Sequence, residues 1–266
     1  MSDIKPPVLS ELNDGVLTIT LNRPEAFNAI NAEVSNAVAE ALAAAEKDPE
    51  VAAVILTGAG GKAFSAGADL KAVSRGESCF DPDGPYGDWG LGGCTERTIA
   101  KPVIAAVDGI AFGGGFEVAL AADILIASTA SKFALPEVKV GLLAGAGGVV
   151  RLPRQLPRKL AMDLLLTGEP ISAERAHALG LVSRLTAPGA AYAEALQVAA
   201  GIRASAPLAV QATKRMVLEL ADGRSELERH AWDLNAAEFP AILASNDARE
   251  GAAAFTQKRP PVWTAS

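Results

Sequence analysis

The pattern of hydrophobic and polar positions changes its period several times in the first half of the chain. Around residues 31–46 the apolar side chains of Val34, Val38 and Leu42 recur at helical spacing, which predicts a helix that ends before Asp48. A second helix is predicted from Gly113 to about 122. Short aliphatic and β-branched runs predict strands at 16–21, 51–57, 102–107, 124–127 and 132–134. Strands that alternate with helices favour an α/β fold with mostly parallel pairing.

Beyond about residue 157 the strand pattern nearly disappears, apart from 181–185. Helical periodicity takes over, with Pro207 and Pro240 as boundaries, and predicts helices at 190–204, 207–221, 224–238 and 246–257. We therefore divide the chain into an α/β core at 1–195 and a C-terminal helical region at 196–266.

Composition and charge narrow the classes of function. The 266 residues are 50% hydrophobic, carry a net charge of −7 and include 5% aromatic residues, which disfavours a nucleic-acid partner. The most apolar stretch, 103–128, is interrupted by acidic residues, so we expect no membrane span. Two cysteines and an N-terminal segment without an apolar signal-peptide core favour a cytoplasmic protein.

Three glycine-rich segments are candidates for ligand binding, and one of them, at 64–71, has small residues that would let a ligand approach the main chain closely. Gly58 to Ala63 matches the spacing of a dinucleotide-binding turn, but no long helix is predicted after it, so a simple tight turn fits as well. Gly113 to Gly115 opens a predicted helix and leaves unpaired N–H groups suited to an oxyanion. Glu117 follows on the first turn, and Glu137 lies after a short strand. Either glutamate could simply suit a helix start, and together they could form an acid–base pair.

Four longer motifs give the sequence a resemblance to a known family. They are AFSAGADLK at 63–71, KPVIAAVDGIAFGGGFEVALAADI at 101–124, FALPEVKVGL at 133–142 and GAGGVVRLPRQ at 145–155. The chain resembles the crotonase superfamily of enoyl-CoA hydratases and isomerases over nearly its whole length. Within that superfamily, AFGGGFE, FALPE and the terminal KRPPVW are most similar to carnitinyl-CoA dehydratases.

The resemblance implies roles for individual residues. It implies that backbone N–H groups of Ala68 and Gly114 form an oxyanion hole for a thioester oxygen, and that Glu117 and Glu137 are the acid–base pair. We assign Glu117 as base and Glu137 as acid, with the reverse assignment left open. The Gly145 N–H is expected to help hold the catalytic water, although Ala144 stands where many hydratases have proline. The implied substrate and CoA contacts are Ala66, Asp69, Leu70, Lys71, Phe255 and Lys258.

The resemblance also implies an architecture and an activity. The expected fold is a spiral of repeated ββα units followed by C-terminal helices that join subunits into a homotrimer or a hexamer built as two trimers. The expected activity is reversible hydration of an enoyl-CoA, with crotonobetainyl-CoA hydration as the alternative. Coenzyme A is then part of the substrate, and no metal or redox cofactor is expected. A nicotinamide oxidoreductase and a non-catalytic CoA-binding protein remain the hypotheses from other classes.

Residues 74–95 form a glycine-rich, acidic segment with no periodicity, which predicts a long surface loop. Phe80, Tyr86 and Trp89 lie there among four acidic residues. Aromatic faces with nearby carboxylates would suit a quaternary ammonium group. In the plainer interpretation, the acidic side chains are solvated and the aromatic ones only anchor the loop.

Overall fold

The strands of the core fall into two sheets in the computed structural model, which describes residues 6–266. The strands are β1 (Val8–Asn13), β2 (Val16–Leu21), β3 (Ala53–Gly58), β4 (Ala63–Ser65), β5 (Val103–Val107), β6 (Ile110–Phe112), β7 (Ile124–Ser128), β8 (Lys132–Ala134), β9 (Ile171–Ser172), β10 (Arg184–Thr186), β11 (Leu220–Ala221) and β12 (Arg224–Ser225). The larger sheet has the order β1-β2-β3-β5-β7-β10 and the smaller one β4-β6-β8-β9. The pair β11–β12 is a separate hairpin in the C-terminal region.

The helices surround these sheets and dominate the C-terminal third. They are α1 (Ala32–Lys47), α2 (Leu70–Ser74), α3 (Gly114–Ala121), α4 (Gly148–Gln155), α5 (Arg158–Thr167), α6 (Ala173–Ala178), α7 (Ala191–Arg203), α8 (Pro207–Val217), α9 (Arg229–Ala244) and α10 (Asn246–Gln257). A 3-10 segment spans Pro136–Val140. The predicted α/β class is therefore confirmed, with helices at the C-terminal end of the chain.

Three consecutive strand pairs have the same construction. The pairs β3–β4, β5–β6 and β7–β8 each give one strand to the large sheet and the next strand to the small sheet. Within each sheet these strands run parallel. A helical segment follows each pair, namely α2, α3 and the 3-10 segment at 136–140. This is the repeated ββα arrangement that the resemblance implies.

The sequence pattern predicts the buried strands well and the short strands poorly. Strands β2 and β8 and helix α10 have the predicted bounds. Strands β4 and β6 have only three residues each and are missing from the prediction, whereas β8, which is equally short, is predicted. The predicted boundary at Pro240 is wrong, because α9 runs through that proline to Ala244.

Helix α7 packs against the large sheet through alanine and valine side chains. Ala191, Ala195, Val198 and Ala199 are buried in one cluster with Ile55 and other sheet residues. The predicted division between residues 195 and 196 therefore falls within a helix of the core. We propose that the C-terminal helical region begins after α7.

Candidate active site

The turns that follow β4, β6 and β8 converge at one edge of the small sheet. Because these three strands are parallel, their carboxyl ends lie at the same edge. Ala68 lies three residues after β4, Gly114 two residues after β6, and Glu137 three residues after β8. The ββα arrangement thus brings together residues that are 69 positions apart in the sequence.

Ala68 and Gly114 present backbone N–H groups close to each other. The Ile30 N–H donates to Gly67 O, and the Asp69 N–H donates to Ile30 O, both at 2.8 Å, which leaves the intervening Ala68 N–H without a partner among the described residues. Gly114 is the first residue of α3, so its N–H has no acceptor within the helix. A Cβ on Gly114 would lie 3.4 Å from Ala68 N. The two N–H groups therefore lie close to each other, and their shared role as donors to one oxygen atom stays a prediction.

Glu117 lies on the first turn of α3 and is 2% exposed. Its Oε1 accepts the Gly148 N–H at 2.9 Å, and the nearby Ala146 N–H also favours the charged form of this carboxylate. Burial, together with the charge of Glu137, raises the pKa of Glu117 well above the usual range of a glutamate. The predicted carboxylate is therefore in a position where it can hold a proton near neutral pH.

Glu137 follows Pro136 in the 3-10 segment after β8 and is partly buried. Its Oε1 lies 3.0 Å from the place that a Cβ on Gly113 would take, so the carboxylate faces the start of α3. Its Oε2 is buried, and no group of the described residues hydrogen-bonds it. Burial raises the pKa of Glu137 as well. Two carboxylates with raised pKa values thus lie beside the donor pair.

The loop 144–148 supplies the donors for Glu117, and here the prediction needs a correction. The Gly145 N–H, predicted to help hold a water, donates instead to Leu143 O at 2.8 Å. Ala146 and Gly148 are the donors that reach the carboxylate. Neither residue is predicted from the sequence, although the glycine pair at 147–148, where α4 begins, is similar to the glycines where α3 begins.

The predicted substrate contacts around Ala66 lie in the turn between β4 and α2. The side chain of Asp69 caps α2 and forms an ion pair with Arg23 at 2.9 Å. Burial alone would raise the pKa of Asp69, but hydrogen bonds from Arg23 and from α2 hold it below the usual value. Asp69 therefore fixes the shape of this turn. Leu70 is 42% exposed at the surface beside it, and Lys71 follows on α2.

Phe255 and Lys258 lie at the C-terminal end of α10. This helix packs on the 3-10 segment at 136–140, where a Cβ on Gly251 would lie 2.1 Å from Val140 O. Phe255 is 57% exposed, and Lys258 is exposed as well. Both side chains are accessible on the surface of the described protomer.

The aromatic side chains of the segment 74–95 anchor it to the protein. Trp89 is 7% exposed, and its ring faces the Arg97 guanidinium at 5.7 Å and the edge of Tyr86 at 6.3 Å. Leu91 and its glycine neighbours pack against α1 and α3. The prediction of an exposed loop is therefore wrong for residues 89–94, and the cation that Trp89 contacts belongs to the protein itself.

The structure was also searched for other cavities, for metal sites and for membrane-spanning helices. A cavity of about 590 Å³ lies between α3, α8 and α9, with Arg97, Gln155 and Lys214 in its lining, and Glu117 and Glu137 do not line it. Among residues 6–266 no cluster of three or more histidine, cysteine or acidic side chains is arranged to hold a metal ion. Within the same range, no helix combines the length and the apolar character needed to cross a bilayer.

Comparison with known proteins agrees with the geometry. The family model described as enoyl-CoA hydratase/isomerase matches residues 11–266. A carnitinyl-CoA dehydratase from Salmonella arizonae is 45% identical over 253 residues, covering 94% of this chain and 95% of that protein. Solved structures of a carnitinyl-CoA hydratase from Mycobacterium avium and a carnitinyl-CoA dehydratase from Mycobacterium avium 104 give TM-scores of 0.95 and 0.94. Their identities are 48% and 50%, and both alignments cover 98% of this chain and 100% of the other. The chain belongs to the enoyl-CoA hydratase/isomerase family.

Proposed function

We propose that this protein is an enoyl-CoA hydratase, which reversibly adds water across the 2,3-double bond of an enoyl-CoA thioester. The observation that carries the proposal is the position of two N–H donors beside two carboxylates, one buried and one partly buried. Addition of water builds negative charge on the thioester oxygen. Donors already in place at Ala68 and Gly114 stabilise that charge, and one such donor is typically worth ~3–4 kcal/mol of barrier.

The carboxylates supply the proton transfers of this reaction. One takes a proton from the attacking water, and the other, in its protonated form, delivers one to the Cα of the substrate. Two carboxyl groups with raised pKa values that repel each other as anions share a proton near neutral pH. Donation by backbone N–H groups favours the Glu117 anion, whereas burial raises its pKa to about 8, above the value of about 7 for Glu137, so which of the two carboxylates is the base stays open.

The hypothesis of a nicotinamide oxidoreductase loses its structural support. Its basis was the glycine pattern from Gly58 to Ala63, which in a dinucleotide site would lead into a helix. In the structure this turn leads into the three-residue strand β4. A dinucleotide phosphate would therefore find no helix N-terminus there.

A test of the proposed function is the hydration of crotonyl-CoA, followed as the loss of the conjugated enoyl absorbance. We expect turnover by the wild-type protein without added metal or redox cofactor. A protein that binds CoA thioesters but leaves the absorbance unchanged would be the non-catalytic CoA-binding protein, and the proposal would then fail.

A betaine substrate is the second candidate, and the names of the relatives favour it. Proteins 45–50% identical to this chain are named carnitinyl-CoA dehydratases or hydratases. The kcat/KM values for crotonobetainyl-CoA and crotonyl-CoA separate the two candidates. A clear preference for the betaine supports carnitinyl-CoA dehydratase activity, and equal use of both supports the general hydratase. Trp89 is an unsuitable probe of this choice, because its ring is buried against Arg97.

We also propose, from the resemblance to the family, where coenzyme A lies and how the subunits assemble. We place Ala66, Leu70 and Lys71 along the path of the CoA arm, and Phe255 and Lys258 against CoA bound to a neighbouring subunit. The exposure of both C-terminal residues supports this placement. The assembly is a homotrimer or a dimer of trimers in the cytoplasm, with coenzyme A entering only as part of the substrate.

A further inference from the structure

One face of α9 covers the loop 144–148. Glu228, which precedes the helix, and Trp232, Asn235 and Phe239 follow each other at intervals of three or four residues and so share one side of it. The Asn235 side chain donates to Gly145 O at 2.9 Å, and a Cβ on Gly145 would lie 2.6 Å from the ring of Phe239. This loop carries the donors for Glu117, so α9 borders the candidate active site from outside the core.

Arg151 connects α9 to that loop. It lies on α4, one turn after the donor Gly148, and it is 9% exposed. Its Nη2 lies 2.9 Å from Glu228 Oε2, and its guanidinium stacks on Trp232 at 5.5 Å from the ring centre. The Trp232 Nε1–H donates to the same oxygen of Glu228 at 3.2 Å. The arginine is therefore held by a carboxylate and a ring that are themselves joined.

Arg151 and Glu117 contact adjacent residues of the loop. A Cβ on Gly147 would lie 2.5 Å from Arg151 Nη1, and a Cβ on Gly148 would lie 3.1 Å from Glu117 Oε1. Gly147 has a φ of +121°, a conformation that suits glycine, and the guanidinium packs directly over it. A movement of Arg151 would therefore move the residue next to the Gly148 donor.

We propose that Arg151, clamped by Glu228 and Trp232, is a positioning residue for Glu117. The clamp fixes the loop 144–148, so that the Ala146 and Gly148 N–H groups stay aimed at the carboxylate, and it places a positive charge behind that loop. The inference deepens the proposed function and rests on it, because it takes Glu117 to be a catalytic carboxylate.

The charged surroundings set the sign of the expected effects. Glu117 faces Glu137 from the 3-10 segment and Arg151 from α4. Arg151 forms the ion pair with Glu228, and its positive charge also interacts with Glu96, Cys94 and Glu117. Removal of the arginine leaves the negative charge of Glu228 uncompensated, so Glu117 should lose its proton at a higher pH. Removal of the Glu228 charge should have the opposite effect.

The test is an infrared titration of the protonated Glu117 carboxyl group, which does not require turnover. The Glu117 band is assigned by its loss in Glu117→Gln. We expect Arg151→Met to move its titration up by roughly half a pH unit or more, and Glu228→Gln to move it down. Arg151→Lys should keep the titration near that of wild type, because the positive charge remains. It should lower kcat by ~10-fold, because the planar guanidinium that stacks on Trp232 is lost.

Arg154→Met is the matched control. Arg154 lies on the same helix and also bonds the neighbourhood of α9, through Leu227 O at 3.3 Å, but it is exposed. We expect its titration and kcat to equal those of wild type. The proposal is overturned if Arg151→Met and Glu228→Gln leave the Glu117 titration unchanged or move it in the same direction. If Arg151→Met does not fold, Glu228→Gln and Arg151→Lys decide the question.

The same samples separate this inference from the proposed function. Wild-type protein that hydrates crotonyl-CoA, with titrations that do not move, retains the function and refutes the clamp. Titrations that move in opposite directions in a protein without hydratase activity support the coupling of Arg151 to Glu117 and refute the function.

Discussion

Burial of the charged form of Glu117 costs free energy. The side chain is almost fully buried and lies near a second carboxylate, and the free-energy cost is offset by two backbone N–H groups that point at it. A glutamate with a purely structural role would be expected to pair with a cation. The nearby cation, Arg151, pairs instead with Glu228. The arrangement keeps Glu117 able to gain and lose a proton.

The first prediction concerns both carboxylates. Glu117→Gln and Glu137→Gln should each lower kcat at least ~100-fold, because an amide cannot transfer the proton that the reaction needs. CoA affinity should stay nearly unchanged, since the amide keeps the shape of the side chain. Steady-state kinetics with crotonyl-CoA and a CoA-binding titration measure the two effects.

Glu174→Gln serves as the control, because Glu174 is exposed in the first turn of α6. It should retain full activity. Near wild-type turnover in either of the other two variants would show that the pair has been assigned incorrectly.

A second prediction concerns stability as a function of pH. The pKa of Glu117 is higher in the folded than in the unfolded protein, so folding binds protons as pH rises past the ordinary carboxyl range. Between these two pKa values the folded protein keeps the Glu117 proton and the unfolded chain loses it, so each rise in pH favours the unfolded state. Glu117→Gln should therefore raise Tm relative to wild type by an amount that grows from about pH 5 to about pH 8. Thermal melts across this range give the answer, and a Tm difference independent of pH would contradict the prediction.

At the level of elements, the loop 144–148 demands small residues for steric reasons. A Cβ on Gly148 would lie 2.6 Å from the Cβ of Ala144 and 3.1 Å from Glu117 Oε1. Gly148→Ala should therefore displace the donor or the carboxylate and lower kcat, by ~100-fold if the shift approaches 1 Å.

Gly201→Ala is the matched substitution, because Gly201 lies within α7 and its new Cβ would have no atom within 4 Å apart from its chain neighbours and the backbone of its own helix. It should keep full activity and raise stability by up to about 1 kcal/mol, since alanine favours helix. Kinetics and denaturant melts of the two variants side by side test both statements. Equal kcat for Gly148→Ala and wild type would remove the argument for this donor.

The sequence predicts some elements of the site and misses others for physical reasons. The glycines from Gly113 to Gly115 predict the start of α3, because repeated glycines before an apolar run are typical of a helix start. That start also predicts the unpaired N–H of Gly114 and the position of Glu117 on the first turn. Strands β4 and β6 are set by pairing with their neighbours in the small sheet, which no local pattern reveals. The donor role of Ala146 and Gly148 likewise depends on how α4 packs against α3.

Trp89 shows the same limit. Its acidic and glycine-rich neighbours are typical of an exposed loop, yet a residue eight positions later, Arg97, covers its ring. Helix α9 continues through Pro240, although proline usually ends a helix.

At the level of the whole molecule, the C-terminal helices carry several large apolar side chains that are exposed on the single chain. Leu208 and Met216 on α8 are 78% and 79% exposed, and Val217 is 67% exposed. We expect this surface to be covered by a neighbouring subunit. Analytical ultracentrifugation should report a trimer or a hexamer, and Leu208→Asp should shift the distribution towards smaller species without changing the circular dichroism of the folded chain. A monomer at all concentrations would contradict the proposed assembly and the proposed contact of Lys258 with a neighbour's CoA.

The three parallel ββα units also bear on how such a site can diversify. Each unit delivers its own turn to the shared edge of the small sheet, so a substitution in one turn leaves the other two in place. Replacing Glu137, for instance, leaves the donors at Ala68 and Gly114 attached to separate strands that do not depend on it. In the proposed function, the unit that ends in Glu137 supplies proton chemistry alone, whereas the unit of α3 carries both the donor Gly114 and the carboxylate Glu117. New reactions can therefore arise by single exchanges at one turn, with the binding of the thioester inherited intact.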